Sequence, residues 1–250
     1  AHYETASLRV HGIHKMPGHA GFAYGFSVTT AAGTDHWYLR LPPPNVRLEG
    51  TADLMRQVAA LNAMPASVPH CRVKWWGDDP RWFGRPYFIV PKLEGDVVRL
   101  DGAGWVTALD DATRLEMARQ AVTALAGIHQ VDAGKVSYLG DPLPPGDDVQ
   151  RWDRFAEKAA EPARLKLAPE VKKRLLNSIP ATTPVGLFHG DFQWSNLFYS
   201  RAGILLAVID WELTGIGAVY NDIGWFATFN DPPAWADADR RGQYLPQADA

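Results

Sequence analysis

The stretch FHGDFQWSNLFYS at positions 188–200 decides the fold of this chain. Its apolar ends are typical of strands, and the polar residues between them are typical of a connecting loop. The loop carries His189, Asp191 and, five residues after the aspartate, Asn196. A glycine before Asp191 predicts a turn that holds the carboxylate at a fixed place beside a cleft.

A second stretch, LLAVIDWE at 205–212, follows shortly after. Asp210 comes directly after an apolar run, where a carboxylate is rare unless a positive group meets it. We expect strands 196–200 and 204–209 to form a hairpin, which would return Asp210 to Asn196. Amide and carboxylate oxygens suit Mg²⁺, and Asp191 would be left to accept a proton, as phosphoryl transfer requires.

The spacing from His189 to Asn196 is that of the kinase catalytic loop, with glycine in place of arginine. HGDFQWSNLF followed by VIDWE resembles the aminoglycoside phosphotransferase and choline kinase-like family of small-molecule kinases. The resemblance implies an α+β, two-lobed protein-kinase-like fold that binds ATP, with GTP as the alternative, and Mg²⁺ between its lobes. It implies Asp191 as catalytic base, Asn196 and Asp210 as metal ligands, and His189 as a structural residue of the loop.

Two further acidic residues of this region each have two interpretations. By the resemblance, Asp222 in NDIGWF matches an aspartate that braces the catalytic loop, but it could equally cap the following helix. Glu212 either contacts the residues of the site without binding the ligand itself, or is a solvated residue. We favour the solvated interpretation.

The pattern of the chain changes near its middle. Short apolar segments with glycines and one helix at 51–64 predict a β-rich lobe over residues 1–94, which would bind the nucleotide. Amphipathic helices predict a larger, mainly helical catalytic and substrate-binding lobe over 95–250, which we expect to be incomplete at its C-terminus. Its strongest helix is 111–130, where Thr113 and Glu116 fit a capping box. The predicted apolar face of that helix comprises Leu115, Ala118, Val122, Leu125 and Ile128.

The first lobe must supply a cation for the phosphates. The family usually places lysine on the third strand, and here WYLRL offers Arg40. The helix that normally gives a glutamate to pair this cation has Gln57 at the matching position. Glutamine brings no charge, and this departure raises the alternative of a nucleotide-binding pseudokinase without turnover.

A phosphate flap and an adenine-binding edge complete the expected nucleotide site. MPGHAGFAYGFSV, with Gly18, Gly21 and Gly25, is the candidate flap, since glycine lets backbone amides approach phosphate closely, and Gly21 is the residue expected to bind the nucleotide. A plain hairpin turn is the alternative. The linker VPKLEG is expected to contact adenine through the backbone of Pro91, Lys92 and Leu93.

Composition excludes several other classes of protein. A net charge of −3 and a pI near 6.2 argue against binding nucleic acid by neutralising phosphates. The single cysteine, Cys71, excludes an internal disulfide framework and a cysteine-rich zinc site. We expect a cytoplasmic protein without a membrane span or signal peptide, and the sequence leaves the oligomeric state open.

The acceptor is expected to be a small molecule with a hydroxyl group. Residues 141–170 hold seven acidic and five basic residues, too mild an excess to favour a polycationic antibiotic. A choline-like acceptor would need an aromatic cage, although core packing is the commoner role of such residues. The cage candidates are Trp152, Phe155, Trp194, Trp211, Trp225 and Phe226.

A metal hydrolase that uses His189, Asp191 and Asp210 is a third alternative, but the eight histidines are scattered along the chain.

Overall fold

An antiparallel five-stranded sheet forms the N-terminal part of the protein. The computed structural model describes residues 3, 7–16, 22–99, 104–160 and 162–230. The sheet has the order β1-β2-β3-β5-β4. Its strands are β1 (Arg9–Lys15), β2 (Phe22–Thr30), β3 (Gly33–Leu41), β4 (Trp75–Gly77) and β5 (Tyr87–Pro91).

Period-two alternation explains why these segments pair as a sheet. Trp37 and Leu39 alternate with polar neighbours on β3 and are buried together with Val28 of β2 and Ile89 of β5. The register aligns Arg40 of β3 with Phe88 of β5. Because Arg40 is one residue away from Leu39, its side chain lies on the opposite face of the sheet.

The helix α1 (Leu54–Ala63) joins this sheet to the rest of the molecule. Asp53 caps it by accepting a hydrogen bond from the Met55 amide at 3.0 Å. Its first turns pack against Phe88 and Val90 of the sheet. Its last turns belong to the large core of the helical part.

The remainder of the chain is mainly helical, with short strands around the opening motif. After α2 (Pro80–Phe83) come β6 (Asp96–Val97), α3 (Asp111–His129), α4 (Pro145–Gln150), α5 (Asp153–Ala156), α6 (Ala168–Asn177), β7 (Val185–Phe188), β8 (Leu197–Tyr199), β9 (Leu205–Val208), β10 (Gly215–Ala218) and α7 (Tyr220–Phe229). These elements and the five-stranded sheet make the expected two-part α+β fold. Within the described residues, no helix is both long and apolar enough to cross a bilayer.

The helix α3 differs from its sequence prediction in two details. Its N-cap is Asp110, whose carboxylate accepts from the Thr113 amide at 2.7 Å, so the capping box of Thr113 and Glu116 is wrong. Leu115 and Val122 of the predicted apolar face are exposed. The buried residues are Met117, Ala121, Ala124, Leu125 and Ile128.

Candidate active site

A hairpin brings the two halves of the motif together. Leu197 of β8 pairs with Val208 of β9, and the Ile209 amide donates to the Asn196 carbonyl at 2.9 Å. The predicted return of Asp210 toward Asn196 is therefore confirmed. Asp210 has φ 64° and ψ 62°, a left-handed conformation that few residues other than glycine adopt. Such backbone strain is concentrated at functional sites.

Three side-chain donors hold the carboxylate of Asp191. Its Oδ1 atom accepts from Gln193 Nε2 and from Trp225 Nε1, both at 2.7 Å. Its Oδ2 atom accepts from Asn196 Nδ2 at 2.8 Å. The group is partly exposed, so a carboxylate of fixed orientation faces the solvent side of the loop.

Asn196 is buried and turns its amide nitrogen toward Asp191. The nitrogen donates to the Asp191 backbone carbonyl at 2.8 Å as well as to the Asp191 carboxylate. Both N–H groups of the amide thus point at one residue. The side-chain oxygen is then the one atom of this amide that could bind a metal ion.

His189 is fully buried and acts as a structural residue of the loop. Its Nε2 atom lies 2.9 Å from the Ile209 carbonyl, and the Asp191 amide donates to its Nδ1 atom at 3.2 Å. The imidazole is therefore the neutral tautomer with hydrogen on Nε2. Burial lowers the pKa of His189, while the nearby charge of Asp222 opposes this effect.

Asp222 braces the loop from the first turn of α7. This fully buried carboxylate accepts from the His189 amide at 2.8 Å, from the Gly190 amide at 2.7 Å and from His129 Nε2 at 3.0 Å. The bracing interpretation is confirmed, and the capping alternative is wrong because the carboxylate makes no cap of α7, whose N-cap is Val219.

The glycine between His189 and Asp191 is required by the backbone. Gly190 has φ 87°, and a Cβ atom there would lie 2.4 Å from the Leu213 carbonyl oxygen. Any other side chain would need this turn to move. The positive φ and this close contact explain why glycine stands at the position where the kinase catalytic-loop signature has arginine.

The Arg40 guanidinium reaches across to the motif. Its Nη2 atom lies 3.8 Å from Asp210 Oδ1 and 3.7 Å from Glu212 Oε2. Gln57 is buried on α1 and lines the same cavity of about 200 Å³ as Arg40 and Glu212. The acidic partners of Arg40 therefore come from the IDWE segment rather than from α1.

Glu212 is half-buried beside other charges, so the interpretation as a solvated residue is wrong. Burial raises the pKa of Glu212, the negative charge of Asp210 raises it further, and Arg40 opposes both. The sequence signal that could have identified it is its position two residues after Asp210, on the same tight turn.

The chain matches the family described as "Phosphotransferase enzyme family" over residues 21–249, which is nearly its whole length. This chain belongs to the phosphotransferase enzyme family. The matched range includes the loop that carries His189, Asp191 and Asn196.

The curated relatives that this chain matches are longer proteins. It is 24% identical over 226 residues to human "Acyl-CoA dehydrogenase family member 11", covering 85% of this chain and 27% of the relative. It is 31% identical over 203 residues to the chicken protein of the same name, covering 79% of this chain and 26% of the relative. The chain thus spans about a quarter of the length of these relatives.

Solved structures of the same fold include bacterial and parasite kinases. A Ralstonia eutropha protein assigned to the aminoglycoside phosphotransferases has a TM-score of 0.69 at 22% identity, over 98% of this chain and 71% of that chain. The streptomycin–ATP complex of APH(2")-IIa has a TM-score of 0.59 at 15% identity, over 85% and 70%. Plasmodium vivax ethanolamine kinase has a TM-score of 0.58 at 12% identity, over 98% and 69%. The two-lobed protein-kinase-like fold is therefore confirmed.

The remaining predicted contacts of the phosphotransferase lie in the N-terminal part. The Lys92 amide donates to the His36 carbonyl at 2.9 Å, so this amide completes the sheet and does not face a ligand. Pro91 pairs with Trp37 and has no N–H, which leaves the backbone of Leu93 and the Pro91 carbonyl as the adenine-binding candidates. Gly21, the predicted flap residue, lies outside the described residues.

The aromatic residues considered for a cage serve several different roles. Trp211 is buried against His189, with ring centroids 4.7 Å apart, and Trp194 is buried against Phe226. Trp152 and Phe155 stack on each other and are about half exposed. A single aromatic cage is therefore not formed by these six side chains. The sequence reasoning missed the contact of Trp225 with Asp191, which only the placement of α7 reveals.

A magnesium ion fits the donors of this site. Within the described parts of the chain, no group of three or more histidine, cysteine or acidic side chains has the geometry to hold a metal alone. Mg²⁺ in phosphoryl-transfer enzymes is bound by one or two protein oxygens together with phosphate oxygens and water. The Asn196 side-chain oxygen and the Asp210 carboxylate match that pattern, whereas a multi-histidine hydrolase centre does not.

Proposed function

We propose that this chain is an ATP- and Mg²⁺-dependent phosphotransferase that moves the γ-phosphate to a hydroxyl of a small molecule. One observation carries the proposal: the fixed carboxylate of Asp191 lies on the loop that also holds Asn196, with Asp210 returned beside it by the hairpin. This arrangement separates a proton acceptor from the residues that would hold a metal.

In the proposed reaction Asp191 accepts the proton of the acceptor hydroxyl. The hydroxyl oxygen forms a bond to the γ-phosphorus while the bond from the γ-phosphorus to the bridging oxygen of ADP breaks. Asn196 and Asp210 would hold Mg²⁺, which supplies neutralisation of the phosphate charge. When the nucleotide binds, its phosphate oxygens would replace Asp210 and Glu212 as the partners of Arg40.

The nucleotide would bind between residues 1–94 and residues 95–250. Adenine, or guanine if the enzyme prefers GTP, would contact the linker near Pro91 and Leu93, and the Gly21 segment would cover the phosphates. Support comes from the fold, which is shared with an ATP complex of APH(2")-IIa.

Two observations bear on the chemical class of the acceptor: the charge of residues 141–170 and the names of the curated relatives. The mild acidity of residues 141–170 gives little attraction for a polycation such as an aminoglycoside. The curated relatives carry the name acyl-CoA dehydrogenase, which makes hydroxylated acyl compounds reasonable members of an acceptor panel beside amino alcohols, macrolides and sugars.

The test is ATP consumption with Mg²⁺ across that acceptor panel, with Asp191→Ala as the matched control. We expect one acceptor class to stimulate turnover, and we expect Asp191→Ala to lose about 100-fold or more of it, because general-base catalysis contributes about 10²–10⁴-fold. Equal turnover in Asp191→Ala would contradict the proposal. Binding of Mg²⁺-nucleotide without turnover on any acceptor would favour the pseudokinase alternative, for which Gln57 is the specific indication.

A further inference from the structure

The helix α7 contacts the catalytic loop through a tryptophan as well as through Asp222. Trp225 Nε1 donates to Asp191 Oδ1 at 2.7 Å. We propose that Trp225 is a positioning residue, which holds the Asp191 carboxylate so that Oδ2 is the oxygen that receives the acceptor proton. This inference rests on the proposed function for its chemical consequence, but its structural part stands on the geometry.

The pattern of hydrogen bonds distinguishes the two oxygens of Asp191. A carboxylate oxygen has two lone pairs in the plane of the group. Oδ1 accepts from both Trp225 and Gln193, whereas Oδ2 accepts from Asn196 alone among the described residues. Oδ1 is thus saturated, and Oδ2 keeps one lone pair for a proton.

The helix contacts the loop at two points on one face. Asp222 and Trp225 are three residues apart on α7, so their side chains lie one above the other. Asp222 fixes the backbone amides of His189 and Gly190, and Trp225 fixes the next side chain, that of Asp191. Backbone and carboxylate are therefore oriented by the same rigid element.

The indole itself has little freedom to turn away. Trp225 is partly buried and packs edge-to-face on Phe229, with ring centroids 5.4 Å apart. A planar ring held in this way offers its N–H in one direction and loses little entropy when it donates. Phenylalanine at this position would keep the packing and remove the donor.

The chain offers a closely matched control in Trp194. Its Nε1 atom donates to Asn230 Oδ1, also at 2.7 Å, and it packs against Phe226 of the same helix. Trp194→Phe therefore removes an indole donor to the C-cap of α7, and among the described residues this donor is not bonded to Asp191. A general loosening of α7 would affect both variants alike.

The kinetic experiment compares Trp225→Phe, Trp194→Phe and the unsubstituted chain on the best acceptor of the panel. We expect Trp225→Phe to lower kcat about tenfold or more, because a small misplacement of a reacting group is costly, with KM for ATP unchanged. Trp194→Phe is expected to keep kcat within about twofold. Equal kcat in Trp225→Phe and the unsubstituted chain, or equal losses in both variants, would overturn the inference.

A second measurement needs no turnover and separates this inference from the proposed function. In ¹⁵N-labelled protein, the indole resonance of Trp225 is assigned by its absence in Trp225→Phe. Asp191→Ala should shift that resonance and speed its exchange with solvent, while the Trp194 indole stays unchanged. If no acceptor is phosphorylated, the proposed function fails and this spectrum decides the inference. A Trp225 indole resonance whose position and exchange rate are unchanged by Asp191→Ala would overturn the inference.

Discussion

The two sides of the candidate site are held together with very different tightness. On the catalytic-loop side, Asp222 and Asp191 together accept bonds of 2.7–3.0 Å from two backbone amides, a histidine and three further side chains. On the nucleotide side, Arg40 faces Asp210 and Glu212 at 3.7–3.8 Å. The loop is thus organised in advance, whereas the cation is arranged so that phosphate oxygens can replace its present partners.

The largest expected effect comes from removing Asp222, the carboxylate that braces the loop. Asp222→Ala leaves the buried His189 amide, the partly buried Gly190 amide and His129 without their acceptor, and should lower the free energy of unfolding by about 3–5 kcal/mol. Urea denaturation measures this loss in the free energy of unfolding. Asp153→Ala is the control, because this exposed carboxylate binds only Lys172 in the described structure and should cost no more than about 0.5 kcal/mol. Similar losses in both variants would contradict the pre-organised loop.

The second largest expected effect comes from removing the positive charge of Arg40. Arg40→Met keeps the aliphatic stem and should weaken Mg²⁺-nucleotide binding about tenfold, while the free energy of unfolding changes by less than about 1 kcal/mol. Calorimetric titration and urea denaturation check the two parts. Arg47→Met removes an exposed arginine of the loop that follows β3, paired with Glu49, and should alter neither quantity. Should Arg40→Met destabilise the free protein as strongly as Asp222→Ala, the two sides would not differ as described.

The smallest expected effect is a pH dependence on the nucleotide side. Burial raises the pKa of Glu212 above its ordinary 4.5, so the stability it contributes is complete below pH 4.5 and is lost as the pH rises through its folded value. Glu212→Gln should therefore gain stability relative to the unsubstituted chain as the pH rises from 4.5. Urea midpoints measured against pH give this difference. A difference between Glu212→Gln and the unsubstituted chain that stays constant across this pH range would refute the prediction.

The loop side should respond to pH in the opposite direction. Burial lowers the pKa of His189 below its ordinary 6.5, so its contribution is complete above pH 6.5 and is lost as the pH falls through the lower folded value. Urea midpoints of the unsubstituted chain should therefore decline below pH 6.5. His189→Gln should reduce that decline, and an unchanged pH profile in this variant would show that His189 is not the group responsible.

The sequence predicted the parts of this site that depend on local spacing. The hairpin that returns Asp210 follows from two apolar runs joined by a short turn. The fold followed from the resemblance carried by His189, Asp191 and Asn196.

The features that were missed depend on contacts between distant segments. The acidic partners of Arg40 are Asp210 and Glu212, 170 and 172 residues away, and only the folded chain shows that the IDWE turn rather than α1 supplies them. The face of α3 was misassigned because apolar residues occur around most of its circumference, so only the surrounding core selects Met117 and Ala121 over Leu115 and Val122. Trp225 was considered for a cage because its ring, rather than its N–H, was the visible signal.

Calorimetric titration with a non-hydrolysable ATP analogue and Mg²⁺ tests most directly whether Asp210 holds the metal while Asp191 accepts the proton. We expect binding to the unsubstituted chain, an affinity at least about tenfold lower in Asp210→Asn, and nearly unchanged affinity in Asp191→Asn. Undiminished affinity in Asp210→Asn, or equal damage by both substitutions, would contradict that division of roles.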